Sequence, residues 1–295
     1  MSEESTPQKV ALITGCSSGI GKSTALTFAR EGIYTFASMR DTSKGNNLAE
    51  VAKKNNLPLE IIELDVLKPE TIDKSFEKIL SEKGRLDILV NNAGFMIMGA
   101  FEDIDIDDFN LQWKTDFLGP VIMMKKAIPI MRKQKEDKNG IKGNIINVSS
   151  IAGKIPFAYA SAYISSKFAL EGLSECVLDE VEDMGIRINI IEPGVVKTKF
   201  LENTKTVLKE NSPYSEIVNQ WNVMAKKLFE VTENHPKDVA DAILQCIKDS
   251  SSDLRIPVGE DAKLFLEMHT QFADEPDKFK TWFENEMQKL FKALE

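Results

Sequence analysis

A short apolar strand, a glycine-rich turn and a helix follow one another at the start of the chain. Residues 9–14 read KVALIT, glycines then stand at positions 15, 19 and 21, and the amphipathic segment 22–32 ends in glycine. Glycine lets a backbone turn sharply and approach a ligand, and the start of a helix offers unpaired N–H groups that attract phosphate. This order therefore predicts a phosphate-binding turn in a nucleotide-binding α/β fold.

Strands and helices alternate along most of the remaining chain. The predicted strands are 33–39, 59–66, 85–94, 144–150 and 187–198, and the predicted helices are 43–56, 69–84, 107–133 and 160–183. Alternation of this kind is typical of a parallel sheet with helices on both faces. Such a sheet binds its ligand at the carboxyl ends of the strands, where the glycine turn also falls.

Tyr163 and Lys167 stand four residues apart in the predicted helix 160–183. Side chains at this spacing lie on the same face of a helix. An ammonium beside a phenol favours the phenolate and lowers a pKa that is about 10 in water. Ser150, at the mouth of the preceding strand, can donate a hydrogen bond to the oxygen that the tyrosine serves. The three side chains are a candidate acid–base site.

The end of the second predicted strand indicates which cofactor the fold prefers. Dinucleotide folds that bind NAD place an acidic residue there, which holds the ribose hydroxyls and repels a 2′-phosphate. This chain has Met39 at about that place, followed by Arg40, with Lys44 nearby. A guanidinium binds phosphate through two parallel hydrogen bonds, so the prediction is NADP rather than NAD. Asp65, which closes the third strand, could accept a hydrogen bond from an adenine amino group.

A competing motif overlaps the glycine turn. Residues 15–19 satisfy G-x-S-x-G, which would make Ser17 the nucleophile of a serine hydrolase. A hydrolase needs a histidine base, and the sequence offers only His235 and His269. The hydrolase is therefore the weakest of the functional hypotheses.

Two further motifs are near misses. Residues 21–23 resemble the end of a P-loop, but Cys16 stands where that motif requires glycine. The aspartates within 102–109 have calcium-loop spacing, but Asp108 replaces the required glycine and Lys114 replaces the bidentate glutamate. No metal site is predicted.

Composition and charge exclude several classes of function and location. The formal net charge of −9 argues against a nucleic-acid partner. No apolar run approaches the roughly 20 residues of a membrane span, and residues 1–9 lack the apolar core of a signal peptide. A cytoplasmic protein without a membrane span is expected. Cys16, Cys176 and Cys246 are few, odd in number and far apart, so they are predicted to be reduced thiols.

Taken together, these pieces resemble the short-chain dehydrogenase/reductase family over about residues 9–258. The matching segments are TGCSSGIG at 14–21, LDV at 64–66, NNAG at 91–94, Ser150, Tyr163-x-x-x-Lys167 and PGVVKT at 193–198. The segments FASMRD and LRIPVGEDA resemble the branch that contains hydroxysteroid and retinol dehydrogenases. The resemblance implies a Rossmann-type doubly wound parallel sheet of about seven strands in the order 3-2-1-4-5-6-7.

The resemblance also implies roles for individual residues. Tyr163 would be the general acid in carbonyl reduction and the general base in alcohol oxidation. Ser150 would orient the substrate oxygen, while Lys167 would hold the nicotinamide ribose and lower the tyrosine pKa. The cofactor would contact Gly15, Ser17, Ser18, Gly19, Ile20, Gly21, Arg40, Asp65, Val66, Asn92, Ala93, Gly94, Tyr163, Lys167, Pro193, Gly194, Val196 and Thr198.

One catalytic position departs from the family pattern. Counting back from Gly119, the family's catalytic asparagine falls on Asp116. An aspartate can still accept the hydrogen bonds of a proton relay, and the hypothesis is that Asp116 keeps that relay. If ionised, however, it would pair with Lys167 and weaken the field on Tyr163. The alternative function is therefore a cofactor-binding regulator with little turnover.

The last third of the chain is predicted to recognise substrate. Residues 1–258 form one oxidoreductase domain with a lid at about 199–232, and residues 259–295 form a helical extension. An apolar pocket is expected from Phe95, Met96, Ile97, Met98, Phe200, Leu201, Tyr214, Trp221, Met224 and Phe229.

The extension carries an apolar stripe at Phe279, Trp282, Phe283, Met287, Leu290 and Phe291, which docks on its own domain or on another subunit. The family commonly pairs helices like 107–133 and 160–183, so a homodimer or homotetramer is expected.

Overall fold

Seven parallel strands form the central sheet of the protein. The computed structural model describes residues 7–293, with side chains described as far as Lys289. The strands are β1 (Val10–Ile13), β2 (Tyr34–Met39), β3 (Leu59–Glu63), β4 (Ile88–Asn91), β5 (Ile97–Met98), β6 (Gly143–Val148), β7 (Ile186–Pro193), β8 (Lys205–Thr206) and β9 (Arg255–Val258). The main sheet has the order β3-β2-β1-β4-β6-β7-β9, while β5 and β8 pair separately. Leaving out these two-residue strands, the predicted order 3-2-1-4-5-6-7 is confirmed.

Helices cover both faces of the sheet. They are α1 (Gly19–Arg30), α2 (Asn46–Lys54), α3 (Pro69–Lys83), α4 (Ile106–Trp113), α5 (Gly119–Met131), α6 (Ser161–Val181), α7 (Ser215–Val231), α8 (Pro236–Lys248), α9 (Glu260–Gln271) and α10 (Pro276–Ala293). Successive residues of β1 enter opposite cores, because Val10 and Leu12 pack in one apolar cluster and Ala11 and Ile13 in another. A strand buried on both faces reads as a continuous apolar run, as this one does.

The predicted helix 107–133 is interrupted in the structure. Helix α4 ends at Trp113, a π-helical turn spans Lys114–Leu118, and α5 starts at Gly119. A π turn inserts an extra residue into the helical repeat, which an apolar periodicity does not reveal. A Cβ on Gly119 would lie 3.0 Å from Val66 Cβ, so the end of the turn packs closely against the loop after β3. Asp116 lies within this turn.

The C-terminal extension docks on its own domain. Helix α10 packs against α9, and Phe279 is buried beside Phe265 and Ile155. This resolves the alternatives that the apolar stripe left open, although Leu290 and Phe291 lie outside the described side chains. Within residues 7–293, no helix combines the length and apolar character that crossing a membrane requires.

Candidate active site

The glycine turn is packed tightly against the loop that follows β4. The Thr14 hydroxyl accepts hydrogen bonds from the backbone N–H groups of Asn92, at 2.9 Å, and Ala93, at 3.0 Å. The Asn92 side chain donates to Thr14 O at 2.8 Å, and a Cβ on Gly21 would lie 2.5 Å from its Nδ2. Gly15 has a φ of +74°, a conformation that favours glycine. The turn therefore needs its glycines both for conformation and for space.

A cavity of about 870 Å³ opens at the carboxyl ends of the strands. It brings together all but two of the predicted site residues, namely Gly15, Ser17, Ser18, Gly19, Ile20, Arg40, Asp65, Val66, Asn92, Ala93, Gly94, Ser150, Tyr163, Lys167, Pro193, Gly194, Val196 and Thr198. The exceptions are Gly21, which lies beneath the Asn92 side chain, and Asp116, which lies behind Lys167. These two positions support the cavity rather than line it.

The residues at the predicted adenosine end differ in how they are held. Asp65 Oδ1 accepts a hydrogen bond from Leu67 N at 3.0 Å, which orients its carboxylate at the cavity edge. Arg40 is exposed at the end of β2, and Lys44 also lines the cavity. Arg40 forms no ion pair within the described residues, so its guanidinium is available to an anionic ligand.

Helix α6 presents Tyr163 and Lys167 to the cavity. Lys167 Nζ donates a hydrogen bond to Val148 O at 3.1 Å, which ties the helix to the end of β6, and it lies 5.6 Å from the centre of the Tyr163 ring. Ser150 follows the same strand, and its Oγ accepts a hydrogen bond from Ala152 N at 3.2 Å. The predicted convergence of these three side chains is present in the structure.

Two buried asparagines anchor α6, and sequence reasoning missed both. Asn91 Nδ2 donates to Asn147 Oδ1 at 2.8 Å, and Asn147 Nδ2 donates to Ser174 Oγ at 2.9 Å. This chain of hydrogen bonds runs from β4 through β6 to α6. Buried amides of this kind fix a unique register when their hydrogen bonds are made. Asn91 belongs to the NNAG motif, which gave no indication of this structural role, and the sequence signal of Asn147 is only a polar residue inside an apolar strand.

The pKa of Tyr163 differs from the sequence-based expectation. Burial raises this pKa, and the nearby Asp116 carboxylate adds to the rise. Lys167 and Ser150 lower it, but the pKa stays above its ordinary value. The predicted effect of Lys167 is present, but burial outweighs it because the phenol is only 7% exposed. Tyr163 therefore carries its proton at neutral pH in the absence of ligands.

Asp116 and Lys167 form a buried ion pair. Asp116 Oδ2 lies 3.4 Å from Lys167 Nζ, and Phe95 N donates to Oδ1 at 3.3 Å. Burial raises the pKa of Asp116 to about 6, although Lys167 opposes this rise. Burial also disfavours the ammonium, but Asp116 and Tyr163 outweigh it and raise the pKa of Lys167. At pH 7 the pair is therefore mostly ionised, which is the case in which Asp116 is expected from the sequence to weaken the field on Tyr163.

Gly94 and Gln112 are supporting residues of this pair. A Cβ on Gly94 would lie 2.7 Å from Asp116 Oδ2, so only glycine leaves room for the carboxylate. The buried Gln112 accepts from Ile97 N and donates to Phe95 O, both at 2.8 Å. It therefore fixes the loop that contacts Asp116. A single glutamine in a predicted helix carries no sequence signal for this role.

The substrate half of the cavity is mostly apolar. Of the predicted pocket residues, those that line it are Phe95, Met96, Met98, Phe200, Trp221, Met224 and Phe229. Ile97 faces the other side of β5 and is fully buried, because successive side chains of a strand point in opposite directions. Leu201 packs beside the cavity, and the Tyr214 hydroxyl lies 3.3 Å from Glu102 Oε2.

Ser17 has no histidine partner in the part of the chain that the structure describes. The His269 ring packs edge-on against Phe279, with ring centres 5.0 Å apart. His235 precedes α8, where its backbone N–H donates to Asp238 Oδ2 at 2.6 Å. The arrangement gives the serine-hydrolase hypothesis no base.

A second group of buried charges surrounds Arg255, and its member Glu171 lies one helical turn after Lys167 on α6. Arg255 Nε is 2.9 Å from Glu171 Oε2 and 3.8 Å from Glu192 Oε1, and its Nη1 is 2.9 Å from Glu175 Oε1. Glu171 and Glu192 are 3% and 2% exposed, so one guanidinium compensates two buried carboxylates. Burial and then repulsion from Glu171 raise the pKa of Glu192 to about 7, against the effect of Arg255.

Glu192 is expected to make the protein less stable as the pH rises from about 4.5 to about 7. In this window the unfolded chain has lost the proton and the folded state has kept it, so folding binds a proton. The loss is about 1–3 kcal/mol. Denaturant unfolding at pH 5 and pH 8 should show a smaller pH dependence in Glu192→Gln. Glu175→Gln, which removes the exposed carboxylate on the same guanidinium, is the control, and an equal change in both variants would contradict the assignment.

Comparison with known proteins agrees with this geometry. The model of a family described as short chain dehydrogenase matches residues 9–208. The 3-ketodihydrosphingosine reductase of Bacteroides thetaiotaomicron is 32% identical over 256 residues, covering 85% of this chain and 88% of the relative. Retinol dehydrogenase 8 of Bos taurus is 30% identical over 258 residues, covering 84% and 80%.

A solved structure is similar over almost the whole chain. The crystal structure of a short-chain dehydrogenase from Streptomyces avermitilis has a TM-score of 0.80 and 31% identity, covering 97% of this chain and 99% of the other. Together with the sequence relatives, it confirms the resemblance predicted from the motifs, including the retinol dehydrogenase branch.

Proposed function

The chain belongs to the short-chain dehydrogenase family, and from that premise we propose that it is an NADP(H)-dependent oxidoreductase that interconverts a carbonyl and an alcohol on an apolar or bulky substrate. Members of this family are oxidoreductases that bind nicotinamide cofactors. The observation that carries the proposal is the convergence of Ser150, Tyr163 and Lys167 on one cavity whose other half is apolar. The glycine turn at the opposite end fits a pyrophosphate.

The residues of the cavity suit this chemistry. When bound, the nicotinamide supplies or accepts a hydride. In reduction, Tyr163 donates its hydroxyl proton to the substrate oxygen, and the raised pKa keeps that proton in place at neutral pH. In oxidation the phenol must lose its proton first, so the oxidation rate should rise with pH. Ser150 donates a hydrogen bond to the same oxygen, and Lys167 stabilises the phenolate that forms.

Asp116 is proposed to support this proton transfer as a positioning residue. Its carboxylate accepts from Phe95 N and faces Lys167, so it holds both the loop after β4 and the ammonium. The regulator with little turnover is the second candidate function, because the same carboxylate opposes ionisation of Tyr163. The proposal favours the enzyme, since the ammonium also contacts Val148 O and keeps its place beneath the phenol.

Arg40 is proposed to select NADP. Arg40→Ala is expected to weaken NADPH binding by about 10- to 100-fold, the worth of a charged hydrogen-bond pair, and to change NADH binding little. Fluorescence titration with both nucleotides measures this. Arg30→Ala, which removes an exposed arginine at the end of α1 away from the cavity, should change neither affinity. Equal losses for NADPH and NADH in Arg40→Ala would contradict a 2′-phosphate contact.

The substrate assignment rests on the lining of the cavity. Phe200 lies 5.9 Å from the Tyr163 ring, centre to centre, and stacks on Phe229 from the lid. An apolar wall beside the phenol suits a hydrophobic carbonyl or alcohol compound. The names of the two relatives, a 3-ketodihydrosphingosine reductase and a retinol dehydrogenase, are consistent with substrates of this class.

The experiment that tests the proposed function combines binding with turnover. NADPH binding followed by fluorescence, with turnover on a panel of apolar ketones and aldehydes, is expected to give both signals. Binding without turnover of any compound would favour the regulator. Labelling of Ser17 by a fluorophosphonate, with no NADPH binding, would favour the hydrolase.

We also propose the predicted domain organisation and assembly. Residues 1–258 would be the catalytic domain, with its lid at 199–232, and two or four copies would associate through the faces of α5 and α6. Leu118 and Phe168 support this, because these large apolar side chains are 42% and 41% exposed on adjoining elements. Sedimentation velocity should then find a homodimer or homotetramer.

A further inference from the structure

The C-terminal extension contributes three apolar side chains to the wall of the cavity, besides the acidic residues Glu260 and Asp261 at the start of α9. Phe265 from α9 and Phe283 and Met287 from α10 line it, together with Ile155 from the loop before α6. The Phe265 and Phe283 rings lie 5.5 Å apart, centre to centre. Phe265, Phe283 and Met287 form an apolar part of the wall, and they belong to a segment that lies beyond the residues matched by the family model.

The start of the extension is fixed to the loop after β7. Asp261 Oδ2 accepts a hydrogen bond from Val195 N at 2.7 Å, and its Oδ1 accepts from Asn234 Nδ2 at 2.8 Å. A Cβ on Gly194 would lie 2.3 Å from the carboxylate, so the contact requires glycine there. Val195 O accepts from Asn234 Nδ2 at 3.0 Å and from Thr232 Oγ1 at 2.9 Å, at the end of the lid. Lid and extension are thus tied to the same residue.

The cavity connects two separate apolar clusters. One cluster surrounds the phenol and contains Met96, Met98 and Tyr163, with Phe200 and Trp221 from the lid packed against it. The other contains Ile155, Phe265 and Phe279, with Phe283 and Met287 packed against it. Because residues of both clusters line one cavity, its apolar part extends from the phenol to the extension.

The composition of this wall indicates the shape of the ligand. Met96, Met98, Met224 and Met287 all line the cavity, and Met96 and Met98 belong to the cluster around the phenol whereas Met287 packs against the cluster of the extension. Methionine side chains are unbranched and flexible, so they adapt to a ligand of variable conformation better than a wall of branched residues does. An extended hydrocarbon chain is such a ligand.

We propose that α9 and α10 form a specificity element that closes the far end of the substrate cavity. The substrate is then a carbonyl or alcohol compound with an extended hydrocarbon chain, and Phe283 and Met287 set the longest chain that fits. This inference rests on the proposed function, which it refines by naming the substrate class and the residues that measure it.

The test uses the full-length protein, NADPH and a homologous series of straight-chain 2-alkanones. For the wild type, kcat/KM should rise with chain length, reach a maximum and then fall. Met287→Ala should move the maximum to longer chains and raise kcat/KM about tenfold or more for the first ketone beyond the wild-type limit, because one methylene in an apolar pocket is worth about 10- to 200-fold. Met287→Trp should move the maximum to shorter chains. Phe283→Leu should act in the same direction as Met287→Ala.

Trp282→Ala is the matched control. Trp282 lies on the same helix and packs against Phe265, with ring centres 5.8 Å apart, but it does not line the cavity. This variant should lower the melting temperature without moving the maximum. The position of the maximum is found by comparing kcat/KM values for different ketones within one variant. It therefore does not depend on how much of that variant folds. An unchanged maximum in Met287→Ala and Met287→Trp would overturn the proposal.

A binding assay separates failure of this inference from failure of the proposed function. If the wild type reduces no alkanone, displacement of 1-anilinonaphthalene-8-sulfonate by the same series gives affinity as a function of chain length. A length limit that shifts in Met287→Ala would support the specificity element although the activity had failed. A dye displaced with the same length dependence in both proteins, or not displaced at all, would overturn it.

Discussion

Replacing Tyr163 with phenylalanine is expected to lower the turnover number by about 10²–10⁴-fold, the usual contribution of a positioned proton donor. The phenol is buried beside Lys167 and Ser150. Its raised pKa keeps the hydroxyl protonated at neutral pH, so Tyr163 holds the proton that carbonyl reduction requires. The ring itself packs against Phe200 and remains in the variant, so folding and NADPH binding should change little. Steady-state kinetics and fluorescence titration measure the two effects separately.

Tyr159→Phe provides the matched control for this loss. The same hydroxyl is removed four residues earlier in the chain, in the loop before α6, from a ring that packs on Trp221 with centres 6.2 Å apart. Turnover in this variant should stay within a few-fold of the wild type. If Tyr163→Phe kept its turnover, the proposed proton donor would be wrong, whatever the effect on stability.

Replacing Lys167 with methionine is expected to destabilise the fold by about 3–5 kcal/mol at pH 8, because Asp116 would lose its cation while remaining buried. The cost should be smaller at pH 5. At pH 5 Asp116 is mostly protonated even in the wild type, because its pKa is about 6. A neutral carboxyl group needs no neighbouring cation. In the folded variant the Asp116 carboxyl keeps its proton to a higher pH than it does in the unfolded chain. The stability of the variant therefore falls as the pH rises. Guanidinium denaturation at both pH values measures the difference.

A second substitution distinguishes the ion pair from simple packing. Asp116→Asn added to Lys167→Met removes the uncompensated charge but keeps an acceptor for Phe95 N. The double variant should recover most of the stability that the single variant loses at pH 8, and its pH dependence should become flatter. Losses that simply add would show that the two side chains are not energetically coupled.

Much of the fold follows from local signals in the sequence. Most strands of the main sheet are short apolar runs, and the helices between them are amphipathic. The glycine turn at Gly15–Gly21 was recognisable because its backbone geometry and its packing against Asn92 both exclude larger residues. Parallel strand order follows from the family resemblance rather than from periodicity, and the structure confirms it.

The electrostatics of the site could not be predicted in the same way. The i,i+4 spacing placed Lys167 beside Tyr163, but the direction of the phenol pKa depends on burial, which arises from the lid and the loop after β4. Gln112 and Glu192 are single polar residues whose partners lie far away in sequence. The π turn at Lys114–Leu118 adds one residue to a helix whose apolar pattern still reads as continuous.

The link at Val195 has a consequence for the two segments that it joins. Its N–H donates to Asp261 from the extension, and its carbonyl accepts from Thr232, where the proposed lid ends, and from Asn234 just after it. The extension and the segment that ends α7 are therefore fastened to opposite sides of one peptide group, and we expect a displacement of either segment to be transmitted to the other.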